Sequence, residues 1–152
     1  MKNALSVLTL LFASMAYGAE LPLSVEALIP RHAKIFWHSN IEWGGKVCVL
    51  YYLPEIGSNN AIKYLEIFVL SEDGGSERLS RIYLGGRGTS VIDKVEENEY
   101  VVTLYAREHQ NTDPISTPSK EVLVTVNYSS IPVLISKTYS KDGSNQSVFT
   151  TP

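Results

Sequence analysis

The sequence predicts an all-β protein, an antiparallel β-sandwich, on three observations. Short segments rich in Val, Ile, Leu, Tyr and Thr recur along the chain, and none shows a sustained helical period. Clusters of Gly, Asn, Ser, Asp and Pro separate these segments and favour turns. In the stretch EYVVTLYARE, residues 99–108, apolar residues occupy alternate positions, as in a strand with one buried face. They are Tyr100, Val102, Leu104 and Ala106.

The first 18 residues have the composition of a secretory signal peptide. Lys2 supplies a positive charge, residues 4–13 form a mostly apolar run, and Gly18 offers a small residue before the cleavage point. The run is shorter than the roughly 20 apolar residues that a bilayer-spanning helix needs. We therefore expect a cleaved leader, a mature chain without a membrane span, and a secreted location, either periplasmic or extracellular.

Eight segments after the leader are predicted to be strands, because each has strand composition and lies between turn-forming residues. They are residues 23–29, 33–37, 46–53, 62–70, 78–84, 89–95, 99–107 and 121–127. Residues 19–32 are accordingly predicted to be an N-terminal segment or first strand.

The order of these segments resembles the fibronectin type III family of immunoglobulin-like sandwiches. The resemblance lies in the alternating strand that starts at Tyr100, the loop after it, the step Pro118-Ser119 and the Val-rich segment 121–127. It covers residues 33–127 and leaves 128–152 as a C-terminal tail, expected to be partly flexible. The family implies a seven-stranded antiparallel β-sandwich.

The same resemblance implies roles for three tyrosines. Tyr100 would form a tyrosine corner, with its ring in the core and its hydroxyl bonded to the backbone of the preceding turn. Tyr51 or Tyr52 would replace the tryptophan of the second strand, and the sequence leaves open which of them faces the core.

Alternation also predicts which side chains face outward. Leu65, Ile67, Val122 and Val124 are expected inward on their strands. The outward residues of the strands corresponding to C, F and G would then share one apolar sheet face. These residues are Tyr64, Phe68, Tyr105 and Leu123. Either they form a partner-binding patch, or the apolar run 131–135 folds back and covers them.

Charge and cysteine content exclude some functions. The chain carries 13 basic and 16 acidic residues, a net charge of −3, and has no basic run, which argues against nucleic acid as a partner. Cys48 is the single cysteine, so an intrachain disulfide is impossible. It is either a reactive or intermolecularly bridged thiol, or a small buried apolar residue.

The sequence shows no motif for catalysis and predicts no cofactor and no metal site. His32, His38 and His109 are scattered. His32 and His38 would share a face if they lay on one strand, which leaves a metal hypothesis open. A small secreted hydrolase or metalloprotein is therefore one alternative function.

The favoured function is a non-catalytic binding or adhesion module for a protein or for a cell-surface or matrix partner. Its contact surface would be the shared apolar face or the loop at 109–119. A carbohydrate-binding module is a further alternative, since aromatic rings stack on sugar faces. The candidate aromatic residues are Trp37, Trp43, Tyr51, Tyr52 and Tyr83.

Overall fold

The chain forms one short helix and nine strands within the part that its structure, a computed structural model, describes. That part comprises residues 20–40, 45–54, 61–85, 90–114, 117–139 and 145–150, of which Ser90 and 145–150 are described by their backbone alone. In chain order the elements are α1 (Leu23–Glu26), β1 (Lys34–His38), β2 (Lys46–Pro54), β3 (Ala61–Leu70), β4 (Ser76–Gly85), β5 (Ser90–Asn98), β6 (Val101–Glu108), β7 (Lys120–Asn127), β8 (Val133–Tyr139) and β9 (Asn145–Thr150).

The strands form two antiparallel sheets, which confirms the all-β prediction. Sheet A has the order β1-β2-β3-β4, and sheet B has the order β5-β6-β7-β8-β9. Within each sheet, every strand pairs with the strand that precedes or follows it in the chain. Each sheet is therefore a meander of successive hairpins.

The predicted count of seven strands is wrong, because the described part of the chain has nine. The prediction that the strands corresponding to C, F and G share one sheet face is also wrong. Strand β3 lies in sheet A between β2 and β4, whereas β6 and β7 lie in sheet B. A tight turn explains why β3 pairs locally: the Ser71 amide donates to the Gly75 carbonyl at 3.0 Å, and Gly74 has a φ of 83°. Glycine adopts this conformation without strain, and a short hairpin costs little loop-closure entropy.

One hydrophobic core lies between the two sheets and is built from alternate side chains, as the period of two predicts. Sheet A contributes Cys48, Leu50, Leu65, Ile67, Ile82 and Leu84, and sheet B contributes Val102, Leu104, Ala106, Val122, Val124, Val126, Val133 and Ile135. Each fully buried aliphatic side chain stabilises the fold by about 1.5 to 3 kcal/mol.

Helix α1 replaces the strand predicted at residues 23–29. Val25 lies in this helix, and Leu21 and Ile29 lie in the segments that flank it, four residues before and four residues after Val25. This part of the chain packs on the outer face of sheet A, where the three residues join a second cluster. The sheet residues of this cluster are Val47, Val49, Tyr51 and Phe68. The helical spacing of apolar residues outweighed the strand-like composition.

The region predicted as a tail extends sheet B. Strand β8 pairs with β7, and β9 pairs with β8, so the folded strands continue beyond Asn127. Val133 and Ile135 are buried in the core, while Leu134 is 39% exposed on the opposite face. The run 131–135 thus lies beside β7 in the sheet and does not cover the outer face of sheet B.

Residues 1–18, the predicted signal peptide, lie outside the described residues. Within the described part of the chain, no helix is long and apolar enough to cross a membrane.

Exchanging Val124 for Glu should abolish cooperative folding. Val124 is 4% exposed between the sheets, so the variant would bury an unpaired carboxylate, at a cost of several kcal/mol against a total stability of roughly 5 to 15 kcal/mol. Urea unfolding followed by far-UV circular dichroism measures the effect. The neighbouring Thr125→Glu is the control, because Thr125 faces outward, and it should lose only about 1 kcal/mol or less. Equal stability of the two variants would contradict the assigned faces.

Candidate functional site

The four residues predicted to form one patch lie on two different surfaces. Tyr105 and Leu123 are direct cross-strand partners on β6 and β7, and both point to the outer face of sheet B. Phe68 is fully buried in the cluster beneath α1, and Tyr64 packs partly buried against the same cluster on sheet A. Only Tyr105 and Leu123 therefore come together on an accessible face.

Tyr105 is held in one position by two neighbours on strand β5. Its hydroxyl donates to Glu96 Oε2 at 2.7 Å, and Lys94 Nζ lies 5.4 Å from the ring centroid. Lys94 also forms an ion pair with Glu96. Hydrogen bonding to Glu96 raises the pKa of Tyr105, and the hydrogen bond from Lys94, followed by that from Tyr105, lowers the pKa of Glu96. Tyr105 is 39% exposed, so it is accessible as well as held in place by these contacts.

A groove with a volume of about 430 Å³ runs beside Tyr105 on the outer face of sheet B. Tyr105 and Leu123 provide apolar surface, and charged side chains stand at its border. Arg107 donates to both carboxylate oxygens of Asp93, at 2.8 and 2.7 Å, which lowers the pKa of Asp93. The groove thus combines an apolar centre with a polar border.

The second predicted contact surface, the loop 109–119, is organised by Asp113. Its carboxylate accepts hydrogen bonds from the amides of Gln110 and Ser119, at 2.9 and 2.8 Å, and from the Ser119 hydroxyl at 2.7 Å. These bonds, that of the Ser119 hydroxyl first, lower the pKa of Asp113. The described parts of this loop therefore have a fixed base, while residues 115 and 116 lie outside the described residues.

Tyr128 takes the corner role that the resemblance assigned to Tyr100. Its hydroxyl donates to the Glu99 carbonyl at 3.1 Å, in the turn before β6 where Glu99 has a φ of 52°. Tyr128 is fully buried, and burial raises its pKa. Tyr100 packs edge-on against it, with ring centroids 5.8 Å apart. The sequence did contain the signal, since Tyr128 continues the inward series of alternate residues along β7.

The two candidate tyrosines of β2 face opposite sides of sheet A. Tyr51 is fully buried in the cluster beneath α1, on the outer face. Tyr52 has the parity of Leu50, whose side chain lies in the core between the sheets. Tyr52 is therefore the core-facing residue of the pair.

A buried carboxylate on sheet A escaped sequence analysis. Glu66 is fully buried and forms ion pairs with Arg78, at 3.1 Å, and with Arg81. Arg78 also donates to the Leu28 carbonyl at 3.0 Å, and Arg81 donates to the Tyr51 hydroxyl at 3.2 Å. The cluster therefore ties the segment after α1 to β3 and β4. The signal was an acidic residue between Leu65 and Ile67 of a mainly apolar strand, opposite Arg81 on the next strand.

The residues tested for catalysis do not form a cluster. His32 precedes β1 and is exposed, and His38 Nδ1 donates to the Ser39 carbonyl at 3.0 Å. Cys48 is fully buried, and burial raises the pKa of its thiol well above the usual value. Among the described residues, no group of three or more His, Cys, Asp or Glu side chains could hold a metal ion.

Of the aromatic residues considered for sugar binding, Tyr83 is the one that the structure leaves most exposed among those it describes. Its side chain is 62% exposed, whereas Trp37 packs against the core and Trp43 lies outside the described residues. Tyr83 borders a cleft of about 340 Å³, the Tyr83 cleft, which Glu108, His109 and Lys137 also line.

The polar groups of the Tyr83 cleft are connected to one another. Lys137 donates to Glu108 Oε1 at 2.8 Å, and the Tyr139 hydroxyl donates to Glu108 Oε2 at 3.1 Å. His109 Nε2 is buried and has no hydrogen-bond partner among the described residues. The cleft therefore offers an aromatic face next to fixed polar groups.

Comparisons of the chain with protein-family models, with curated proteins and with solved structures found no match. The fibronectin type III resemblance consequently stays a prediction. What the chain binds has to be inferred from the geometry of its surfaces.

Alkaline pH should destabilise the protein through Tyr51. Burial, followed by the charge of Glu66, raises the pKa of Tyr51 from 10.0 to about 12. Between these two values the unfolded chain releases the proton and the folded chain keeps it. The free energy of unfolding therefore falls as the pH rises through this window, by up to about 1.4 kcal/mol per pH unit, and the stabilisation is complete below it.

Urea unfolding at several pH values from about 9 to about 12 measures this slope. Tyr51→Phe should show a shallower slope, with a remainder from Tyr128, while Tyr83→Phe, which alters an exposed phenol, should keep the wild-type slope. Identical slopes for the wild type and Tyr51→Phe would refute the assignment.

Proposed function

We propose that this chain is a secreted, non-catalytic binding module that docks a protein partner on the outer face of sheet B, around Tyr105 and Leu123. The observation that carries the proposal is the difference between the two outer faces. The outer face of sheet A is covered by α1, whereas the outer face of sheet B has no hydrophobic cluster packed on it among the described residues. Secretion rests on the composition of the leader.

The position of Tyr105 supports the proposal energetically. Binding surfaces gain most from aromatic residues that lose little conformational freedom on association. The hydrogen bond to Glu96 and the contact with Lys94 already fix the Tyr105 ring before a partner arrives. Leu123 lies directly beside it on β7, so a partner side chain would meet two apolar surfaces at once.

The chemistry of the groove defines the partner. Protein interfaces commonly have an apolar, aromatic centre and a polar border. Here the border carries both charge signs, on Asp93 and Arg107, which already neutralise each other. A partner that places an aliphatic or aromatic side chain beside Tyr105, with polar groups around it, fits this surface. A partner bound by charge alone does not.

Tyr105→Glu should abolish partner recovery. The new carboxylate would remove the aromatic anchor and face Glu96, and loss of a central anchor costs about 2 kcal/mol or more, which corresponds to at least about 30-fold in affinity. Immobilised wild type and variants are compared by quantitative pull-down from extracellular extract, followed by titration of each recovered protein. Tyr83→Glu, an exposed tyrosine on the other sheet, is the matched control. Equal recovery by wild type and Tyr105→Glu would refute the docking face.

We propose carbohydrate binding at the Tyr83 cleft as the second candidate. The exposed ring of Tyr83 favours it, because an aromatic face can stack on the apolar face of a sugar ring beside groups that bond its hydroxyls. The cleft is within the usual range for small-ligand sites, roughly 300 to 1,000 Å³.

Tyr83→Ala should weaken binding to immobilised polysaccharides at least about fivefold if the second candidate holds, since one stacked ring is worth about 1 kcal/mol or more. A glycan array and affinity electrophoresis supply the measurement, and Tyr105→Ala serves as the control that should bind normally. Absence of glycan binding by the wild type would eliminate this candidate and leave the protein-docking proposal unaffected.

A further inference from the structure

A cleft opens between the two sheets at one edge of the sandwich. It has a volume of about 270 Å³ and is lined mainly by apolar side chains from both sheets. We call it the edge cleft and define it by Phe36, Leu50, Tyr52, Lys63, Val91 and Ile92. Leu50 and Ile92 also belong to or pack against the core between the sheets, so the cleft is an extension of that core toward solvent.

The arrangement of edge strands explains why the cleft is open. β1 is an edge of sheet A and β5 is an edge of sheet B, so both sheets end on this side. At the C-terminal ends of these strands the gap is bridged, because the Asn40 amide donates to Glu97 Oε2 at 3.1 Å. At their N-terminal ends lie Phe36, in a register shift of β1, and Val91. Phe36 is 57% exposed there.

Lys63 places a positive charge on the core-facing side of this cleft. It pairs with Tyr52 across β2 and β3, and it precedes Leu65 and Ile67 in the inward series of β3. Its side chain is partly buried, and burial lowers the pKa of its ammonium group. No described carboxylate forms an ion pair with it, and the described residues that line the cleft include no acidic side chain.

A partly buried ammonium group without a described counter-ion keeps only part of its hydration, and an entering anion would form a charge-assisted hydrogen bond with it. A neutral apolar ligand would leave the ammonium group unpaired, and a cation would be repelled. The apolar walls in turn select a ligand with a hydrocarbon body.

We propose that the edge cleft binds a small amphiphilic carboxylate, whose hydrocarbon body packs between the sheets against Leu50, Val91 and Ile92 and whose carboxylate pairs with Lys63. The volume sets the size of the ligand. A dry cavity of about 150 Å³ holds one benzene molecule, so about 270 Å³ suits a body of about a dozen non-hydrogen atoms. A medium-chain fatty acid or an arylalkanoate has these dimensions.

Decanoate, 1-decanol and decyltrimethylammonium are suitable probes, because they share the hydrocarbon chain and differ in charge. Isothermal titration calorimetry below the micellar range should show decanoate binding to the wild type at least about tenfold more tightly than decanol, the gain expected for a charge-assisted hydrogen bond. The cationic probe should not bind. In an NMR titration, the backbone amides of Phe36, Lys63 and Val91 should shift with decanoate.

Four variants separate the contributions of charge and space. Lys63→Met should reduce the affinity for decanoate about tenfold and leave that for decanol unchanged, while Lys63→Arg retains most of it. Ala61 also lines the cleft, so Ala61→Phe fills it without altering Lys63 and should reduce binding of both probes. Lys120→Met removes the same charge from β7, outside the described residues that line the cleft, and should bind decanoate as the wild type does. Circular dichroism verifies that each variant folds.

The proposal is overturned if the wild type does not bind decanoate, or if Lys63→Met and Ala61→Phe both retain wild-type affinity. Amide shifts confined to the outer face of sheet B would overturn it as well. The first two outcomes leave partner docking at Tyr105 untouched, because Tyr105 lies on the opposite side of sheet B.

Discussion

The burial of every second side chain between two sheets is the constraint on which the rest of this molecule depends. Val102 and Leu104 from β6 share one core with Leu65 and Ile67 from β3. A single-residue slip of either strand would turn its core residues to solvent. The period of two also fixes what remains outside. Leu104 points into the core, so its neighbour Tyr105 points to the outer face. The core residues of each strand thus determine which side chains are accessible.

The two outer faces meet water in different ways. On sheet A, helix α1 packs on the second hydrophobic cluster. The fully buried Glu66 forms an ion pair with Arg78, which in turn donates a hydrogen bond to the segment after the helix. A buried carboxylate with two arginines adds little net stability, yet removing one partner is costly. This cluster of Glu66 and the two arginines therefore fixes the position of the α1 segment on sheet A. The outer face of sheet B meets water through exposed ion pairs and threonines around Tyr105 and Leu123.

The positions of β1 to β7 were predictable from the sequence, whereas β8, β9 and the partners of the strands were not. Alternation located β6 and β7 closely, because one face of each is apolar and the other polar. The assignment of Tyr64 and Phe68 to the face of Tyr105 failed, because parity within a strand does not say which sheet the strand joins. The hairpin turn at Gly74 decided that, and its effect is local. Tyr105 and Leu123 were placed together correctly, since their strands are consecutive antiparallel neighbours.

Each sheet consists of one continuous part of the chain, with sheet A complete at Gly85 and sheet B beginning at Ser90. Every described pairing consequently joins strands that are consecutive in the chain. Synthesis from the N-terminus nevertheless produces sheet A first, with its inner apolar side still lacking sheet B. Until the second half of the chain emerges, that half-molecule exposes an apolar face and is prone to aggregate.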